Sequence, residues 1–89
     1  MKRIFKYPLA VTDEQTIDII YPARILSVKE QNDVLVLYAV VEDIPGWKYQ
    51  KVKVFIRGTG NPMSDAEDAY YIDTVLMANG LVWHVFYTR

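Results

Sequence analysis

Short runs of β-branched and aromatic residues, separated by turn residues, cover most of this 89-residue chain. Strict alternation of side chains over four to eight positions is typical of strands with one buried face. The runs that we predict to be strands are residues 2–7, 16–20, 24–31, 34–41, 49–57, 70–77 and 81–88, and the alternation is clearest in 2–7 and 49–57. We therefore predict one all-β domain over residues 1–89, closed as a small antiparallel barrel or sandwich of six to seven short strands.

The turn residues refine this prediction. Asn79-Gly80 between two apolar runs is the strongest hairpin signal, because a two-residue hairpin turn needs positive φ at both positions. Residues 31–33 predict a second tight turn, and Pro8 predicts a strand end or a sheet edge. The run 34–41 is apolar on both faces, which indicates a central strand or one that faces a subunit interface.

Two segments have the spacing of a helical capping box, in which a Ser or Thr is followed three residues later by Glu or Gln. These are Thr12 with Gln15 and Ser64 with Glu67. The sequence therefore allows at most two helical turns in an otherwise β-rich chain.

Composition narrows the function classes. The chain has no cysteine and one histidine, which excludes disulfides, Cys-based zinc sites and His-rich metal sites. A net charge of −1 argues against broad nucleic-acid or membrane binding, although it leaves a local basic pocket open. The apolar runs are too short for a membrane span, and the N-terminus does not resemble a signal peptide. We expect an intracellular protein that gains stability by forming a homo-oligomer, because 52% of its residues are hydrophobic.

The segment 57–62 is the most informative for binding. Its glycines let the backbone turn sharply and bring amides close to a ligand, and an arginine at a strand end can clamp a phosphate or carboxylate. An ordinary glycine-rich turn is the alternative interpretation. The candidate ligand-binding residues in this segment are Arg57, Gly58, Thr59, Gly60 and Asn61.

Three further residues complete the candidate ligand-binding set. Tyr71 or Trp83 beside Arg57 could stack on a base, although an aromatic side chain is more often core or interface. His84 could line a pocket as a neutral donor or act as a base, but a mid-strand histidine is more often a hydrogen-bonded core group. No nucleophile stands at a recognisable spacing to it, so we expect no enzymatic activity, no cofactor and no metal. The acidic residues at 65–68 are interpreted as a solvated loop.

Several segments together resemble a family of small, largely uncharacterised proteins of bacteriophages and prophages. They are Lys6-Tyr7-Pro8-Leu9, Thr12 to Ile17, Ile25-Leu26-Ser27-Val28, Gly58-Thr59-Gly60 before Pro62, and Gly80-Leu81-Val82 leading to His84-Val85-Phe86. The resemblance spans nearly the whole chain and implies phage origin and a bacterial host cytoplasm. Family members usually carry histidine where this chain has Asn61.

Three functional hypotheses follow. The leading one is a non-enzymatic counter-defence factor that sequesters a phosphate-bearing, nucleotide-derived signal at subunit boundaries. The alternative is an inhibitor that binds a host effector protein through an exposed strand edge or an aromatic patch. An enzyme acting on a nucleotide, with Arg57 and His84 as its central residues, is third, and a virion or regulatory role accounts for the remainder.

Overall fold

Seven strands and no helix make up the computed structural model, which describes all of residues 1–89. The all-β prediction is therefore confirmed. None of its elements is a helix that could cross a membrane. The strands are β1 (Lys2–Leu9), β2 (Glu14–Tyr21), β3 (Ala23–Gln31), β4 (Val34–Glu42), β5 (Lys48–Gly58), β6 (Tyr70–Leu76) and β7 (Val82–Thr88).

The strands form two antiparallel sheets that pack face to face as a small sandwich. One sheet has the order β1-β4-β3 and the other has the order β2-β5-β7-β6. The segment 34–41 is central in its sheet, as its two apolar faces indicated. Pro8 lies on β1, an edge strand, where a residue without an N–H can be accommodated.

The core lies between the sheets and follows the alternation of the sequence. Strand β5 contributes Val52, Val54 and Ile56, whereas Lys51 and Lys53 point outward. Strand β4 contributes its odd-numbered residues, from Leu35 to Val41. Because side chains on successive residues point to opposite faces, the even-numbered residues of β4 face outward.

The turn between β6 and β7 differs from the expected type, whereas the tight turn at 31–33 is present. In the hairpin from β6 to β7, Gly80 has φ +88° but Asn79 does not have positive φ, and the turn closes through a bond from Gly80 N to Met77 O. The predicted hairpin is present, but its turn is longer and ends on a left-handed glycine. Positive φ at two adjacent positions occurs instead at Asn32 and Asp33, which join β3 to β4.

Neither predicted helical turn forms a helix. The side chain of Gln15 bonds to the backbone of Ala10 and to the Thr12 hydroxyl, so this capping-box pair closes the corner between β1 and β2. The segment 63–69 contains two successive turns, closed by Ala66 N to Met63 O and by Ala69 N to Ala66 O. Polar side chains with capping potential also stabilise tight non-helical corners, which sequence spacing does not distinguish.

A long connection over residues 59–69 shapes one surface of the sandwich. Strands β5 and β6 are parallel to each other and lie on either side of β7, so this connection must cross β7. Arg57 faces outward from β5 and bonds to Pro62 and Ser64, which shows that the connection crosses on the outer face. The crossing residues therefore lie directly beside the predicted ligand-binding segment.

Candidate functional site

Arg57 is buried, with only 8% of its surface exposed. Its Nε donates to Pro62 O at 3.1 Å, one Nη donates to Ser64 O at 2.7 Å, and the other Nη donates to the carbonyls of Asp13 and Ile56. Four of the five guanidinium donors are therefore used by the backbone. The geometry leaves little capacity for the expected clamp on an anion, and the side chain instead joins three segments of the chain.

The turn that follows β5 presents free backbone amides. It is closed by a bond from Asn61 N to Gly58 O at 3.0 Å, and Gly60 has φ +89°, which a residue with a side chain rarely adopts. The N–H groups of Thr59 and Gly60 donate to no backbone acceptor. Two adjacent unpaired amides in a tight turn are suited to an anionic oxygen.

Beside this turn lies an open groove of about 360 Å³. The groove is lined by the half-buried indole ring of Trp83, by the turn that follows β5 and by the turn that precedes β7. Asn61 is exposed, and its Nδ2 lies 3.1 Å from the position that a Cβ on Gly58 would occupy. The absence of a side chain at residue 58 therefore lets the amide group lie close to the ring. The lining residues are Gly58, Thr59, Asn61, Gly80, Leu81, Val82 and Trp83.

The groove continues past the edge of the Trp83 ring. A second concavity of about 390 Å³ shares Asn61 and Trp83 and extends to the corner between β1 and β2. A third, of about 350 Å³, shares Asn61 and lies over Arg57, where Asp13, Glu14 and Asp65 add carboxylates. Asn61 thus stands where three shallow grooves meet, with an uncharged side at Trp83 and an acidic side at Arg57. The first two of these grooves both contain Asn61 and Trp83, and we call them together the Trp83 groove.

A chain of hydroxyl groups and one imidazole lies behind the turn, on the outer face of the four-stranded sheet. His84 Nε2 is 2.8 Å from Thr59 Oγ1, and His84 Nδ1 is 3.1 Å from Thr74 Oγ1. The hydroxyl of Tyr71 lies 2.7 Å from Thr74 Oγ1. Both ring nitrogens are therefore satisfied, and the imidazole fixes the orientation of Thr59. His84 is a hydrogen-bonded group as its position suggested, but it lies outside the core.

The eight predicted site residues divide into four roles, and Arg57, which joins three segments of the chain, has a role of its own. Four line the Trp83 groove directly: Gly58, Thr59, Asn61 and Trp83. Gly60 shapes the turn, while His84 and Tyr71 support Thr59 from behind. Arg57 and Trp83 lie on opposite faces of the sheet, because Trp83 pairs with Gly58 rather than with Arg57. The aromatic ring that lies beside the guanidinium is Phe55, at 5.8 Å.

Sequence reasoning missed Thr74, which links His84 to Tyr71. A signal for it exists, because a hairpin folded about residues 77–81 places Thr74 opposite His84 in the ladder. It also missed the acidic neighbours of Arg57, since Asp13 and Glu14 come from a corner that is distant in sequence. No group of three His, Cys, Asp or Glu side chains is placed to hold a metal ion.

Comparison with known proteins gives one match. A family model described as "Domain of unknown function (DUF7352)" covers residues 1–89. No curated protein matches the chain significantly, and neither does any solved structure.

Proposed function

Because the chain belongs to the DUF7352 family over its whole length, whose description names no activity, we propose a function from the site itself: non-enzymatic capture of a small nucleotide-derived ligand in the Trp83 groove. The observation that supports this most is the meeting of an exposed side-chain amide, a partly exposed indole and two unpaired backbone amides at one turn.

The Trp83 side of the groove suits a planar ring. A base stacked on an indole gains contact area, and such stacking contributes about 1–3 kcal/mol. Asn61 stands at the rim of the same ring, where its amide can donate and accept at the edge of a base. The part of the lining formed by the turns at Gly58 and Gly80 is uncharged, so a neutral heterocycle enters there without displacing an ion pair, while Asp13 lines the adjoining concavity.

The turn suits the phosphate of the same ligand. The unpaired N–H groups of Thr59 and Gly60 can bind an anionic oxygen. Arg57 contributes its positive charge from behind rather than a direct contact, because its donors are bound to carbonyl oxygens. The carboxylates of Asp13, Glu14 and Asp65 repel an anion from the Arg57 side. The proposed orientation therefore has the base over Trp83 and the phosphate at the turn.

The absence of an activated nucleophile is the reason for proposing capture rather than turnover. The hydroxyl of Thr59 is bonded to one ring nitrogen of His84, but the opposite ring nitrogen contacts the neutral hydroxyl of Thr74 and not a carboxylate. A carboxylate in that position stabilises the charged imidazolium that a general base becomes. Capture of a signal by mass action needs only tight binding and high abundance.

Isothermal titration against a panel of cyclic and linear nucleotides tests the proposal. The chain has two tryptophans, so Trp47→Phe leaves Trp83 as the only indole and makes its emission a report on the groove. We expect heat of binding and a change in Trp83 emission with the same ligand. Asn61→Ala should weaken binding about tenfold, whereas Tyr70→Ala, at an exposed aromatic residue outside the groove, should not. No heat from any panel member, with constant emission, would overturn it.

Inhibition of a host protein is the second candidate, and the exposed edge of β1 favours it. This eight-residue strand pairs with β4 on one side only and carries Lys2, Arg3 and Lys6. Such an edge can add to an acidic strand of another protein. A pull-down from bacterial lysate, compared with the Ile4→Asp variant, separates the two candidates, because a ligand-capturing protein should retain nucleotides and no stoichiometric protein. Phage origin, a host cytoplasmic location and homo-oligomerisation stay predictions.

A further inference from the structure

The outer face of the three-stranded sheet has an unusual distribution of charge. Its cations are Lys2 and Lys6 on β1 and Arg24 and Lys29 on β3, and its single carboxylate is Glu42. Since the whole chain has a net charge of −1, this face carries +3 and the rest of the molecule carries −4. We call this surface the basic face.

The charges of the basic face are largely free. Lys2 and Arg24 form no ion pair, and Lys6 bonds to the neutral Gln31. Lys29 is the exception, because it forms an ion pair with Asp73 at 3.0 Å. On the outer face of the other sheet, by contrast, Lys51 pairs with Asp18 and Lys53 with Glu14 on the neighbouring strand. Unpaired cations grouped on one surface attract a polyanion, whereas paired cations contribute little net field.

An apolar stripe separates the two rows of cations. It consists of Val34, Tyr38 and Val40 on β4, with Tyr38 at its centre, and of Ile4 and Pro8 on β1, while Val36 is buried. A shallow groove of about 380 Å³ lies at one end of the stripe, beside Lys2 and Arg24. Another of about 270 Å³ lies at the other end, beside Lys6. Because β1 and β3 lie on either side of β4, the two rows of cations are about 10 Å apart.

We propose that the basic face binds single-stranded nucleic acid, with a base stacked on Tyr38 and the phosphates along the cation rows. An apolar floor flanked by cations matches an extended chain that has flat rings on one side and charges on the other. An acidic peptide fits this face less well, because β4 is paired on both sides and the free backbone donors of β1 lie at the edge of the sheet and not on its face. The site is separate from the Trp83 groove and does not depend on it.

Salt dependence gives the expected magnitude. For single strands the slope of log affinity against log salt is about −0.7 for each phosphate neutralised, so the three cations without an ion pair, Lys2, Lys6 and Arg24, give about −2.1. Affinity should therefore fall about 20-fold between 50 and 200 mM salt. The experiment is fluorescence anisotropy of a labelled dT12 oligonucleotide with the full chain over that range.

Matched variants test which surface is responsible. Lys6→Ala combined with Arg24→Ala should reduce the slope to about a third of its value and weaken binding at 50 mM salt about tenfold. Lys51→Ala combined with Lys53→Ala changes the net charge equally and should leave the slope unchanged. Tyr38→Ala should weaken binding at least fivefold, whereas Tyr38→Phe retains the ring and the affinity. Asn61→Ala should have no effect, which keeps this test independent of the Trp83 groove.

Three results would overturn the proposal. The first is no binding of dT12 at 50 mM salt. The second is an equal loss of affinity in the Lys6→Ala/Arg24→Ala variant and in the Lys51→Ala/Lys53→Ala control. The third is binding of poly-glutamate with the same salt slope, together with no effect of Tyr38→Ala. The last result would show a surface for acidic polymers in general, without recognition of bases. Circular dichroism of each variant confirms that lost binding is not lost fold.

Discussion

Replacement of Arg57 should destabilise the fold far more than replacement of an exposed arginine. The guanidinium bonds to carbonyls of the β1–β2 corner, of β5 and of the crossing segment, at Asp13, Ile56, Pro62 and Ser64. Arg57→Ala leaves these acceptors without their donor. A hydrogen bond to a charged group contributes about 1.5–3 kcal/mol when buried, and these are partly buried, so we take about 1 kcal/mol for each of the three bonds to Asp13, Pro62 and Ser64. The expected loss is about 3 kcal/mol.

The measurement is thermal and urea unfolding followed by circular dichroism. For a domain of this size, each kcal/mol shifts the Tm by about 4–8 °C, so Arg57→Ala should lower it by roughly 12–24 °C. Arg57→Lys retains the charge but has three donors on one nitrogen, so it should lose an intermediate amount. Arg3→Ala is the matched control, because Arg3 is 53% exposed and forms one ion pair with Asp43, at a cost of about 0–1 kcal/mol. If Arg57→Ala and Arg3→Ala shift the Tm equally, the internal role of Arg57 is refuted.

Two further substitutions test single contacts. Gly58→Ala would place a Cβ 3.1 Å from Asn61 Nδ2 and 3.5 Å from the Trp83 ring. It should therefore displace the Asn61 amide and weaken nucleotide binding in calorimetry, while the free energy of unfolding changes by less than about 1 kcal/mol. Unchanged binding would contradict the role of Asn61. Burial raises the pKa of Tyr7 above its ordinary value of 10.0. The Ile20 backbone lowers this pKa by less than burial raises it, and nearby Tyr49 raises it further. The Tyr7 hydroxyl has no hydrogen-bond partner at ordinary distance. The neutral form is therefore favoured in the folded state, so stability should fall as pH rises above 10, and Tyr7→Phe should reduce that fall; identical pH profiles in urea unfolding would refute this.

The strands were predictable because their period is local. In β5 the exposed Lys51 and Lys53 alternate without interruption with Val52, Val54 and Ile56, and that pattern alone assigns the two faces of the strand. Pro8 likewise indicated an edge. The hairpin at Gly80 was located correctly, but its turn type was not, since one asparagine before a glycine fits several loop lengths.

The site was less predictable because it depends on contacts that are distant in sequence. Alternation correctly puts Arg57 on the outer face, where an arginine is normally exposed, but the crossing segment covers it. Nothing local to Arg57 signals that cover. The same holds for the basic face, since Lys6 and Arg24 become neighbours only when β1 and β3 both pair with β4. The structure does place the segment 57–61 beside grooves, and its turn was foreseeable because glycine permits the positive φ that Gly60 adopts there.

Arg57 explains how a turn with exposed amides can be rigid in so small a domain. The guanidinium joins the start of the crossing segment to the β1–β2 corner, so both sides of the acidic groove are held by one side chain. The turn bearing Thr59 lies between two fixed points, since Arg57 holds its far side and His84 holds the Thr59 hydroxyl. A turn that is ordered before the ligand arrives loses less conformational entropy on binding, which increases affinity without an additional contact. In the proposed complex, the burial of Arg57 keeps it from direct contact with the phosphate, while its bonds hold the turn whose free amides would make that contact.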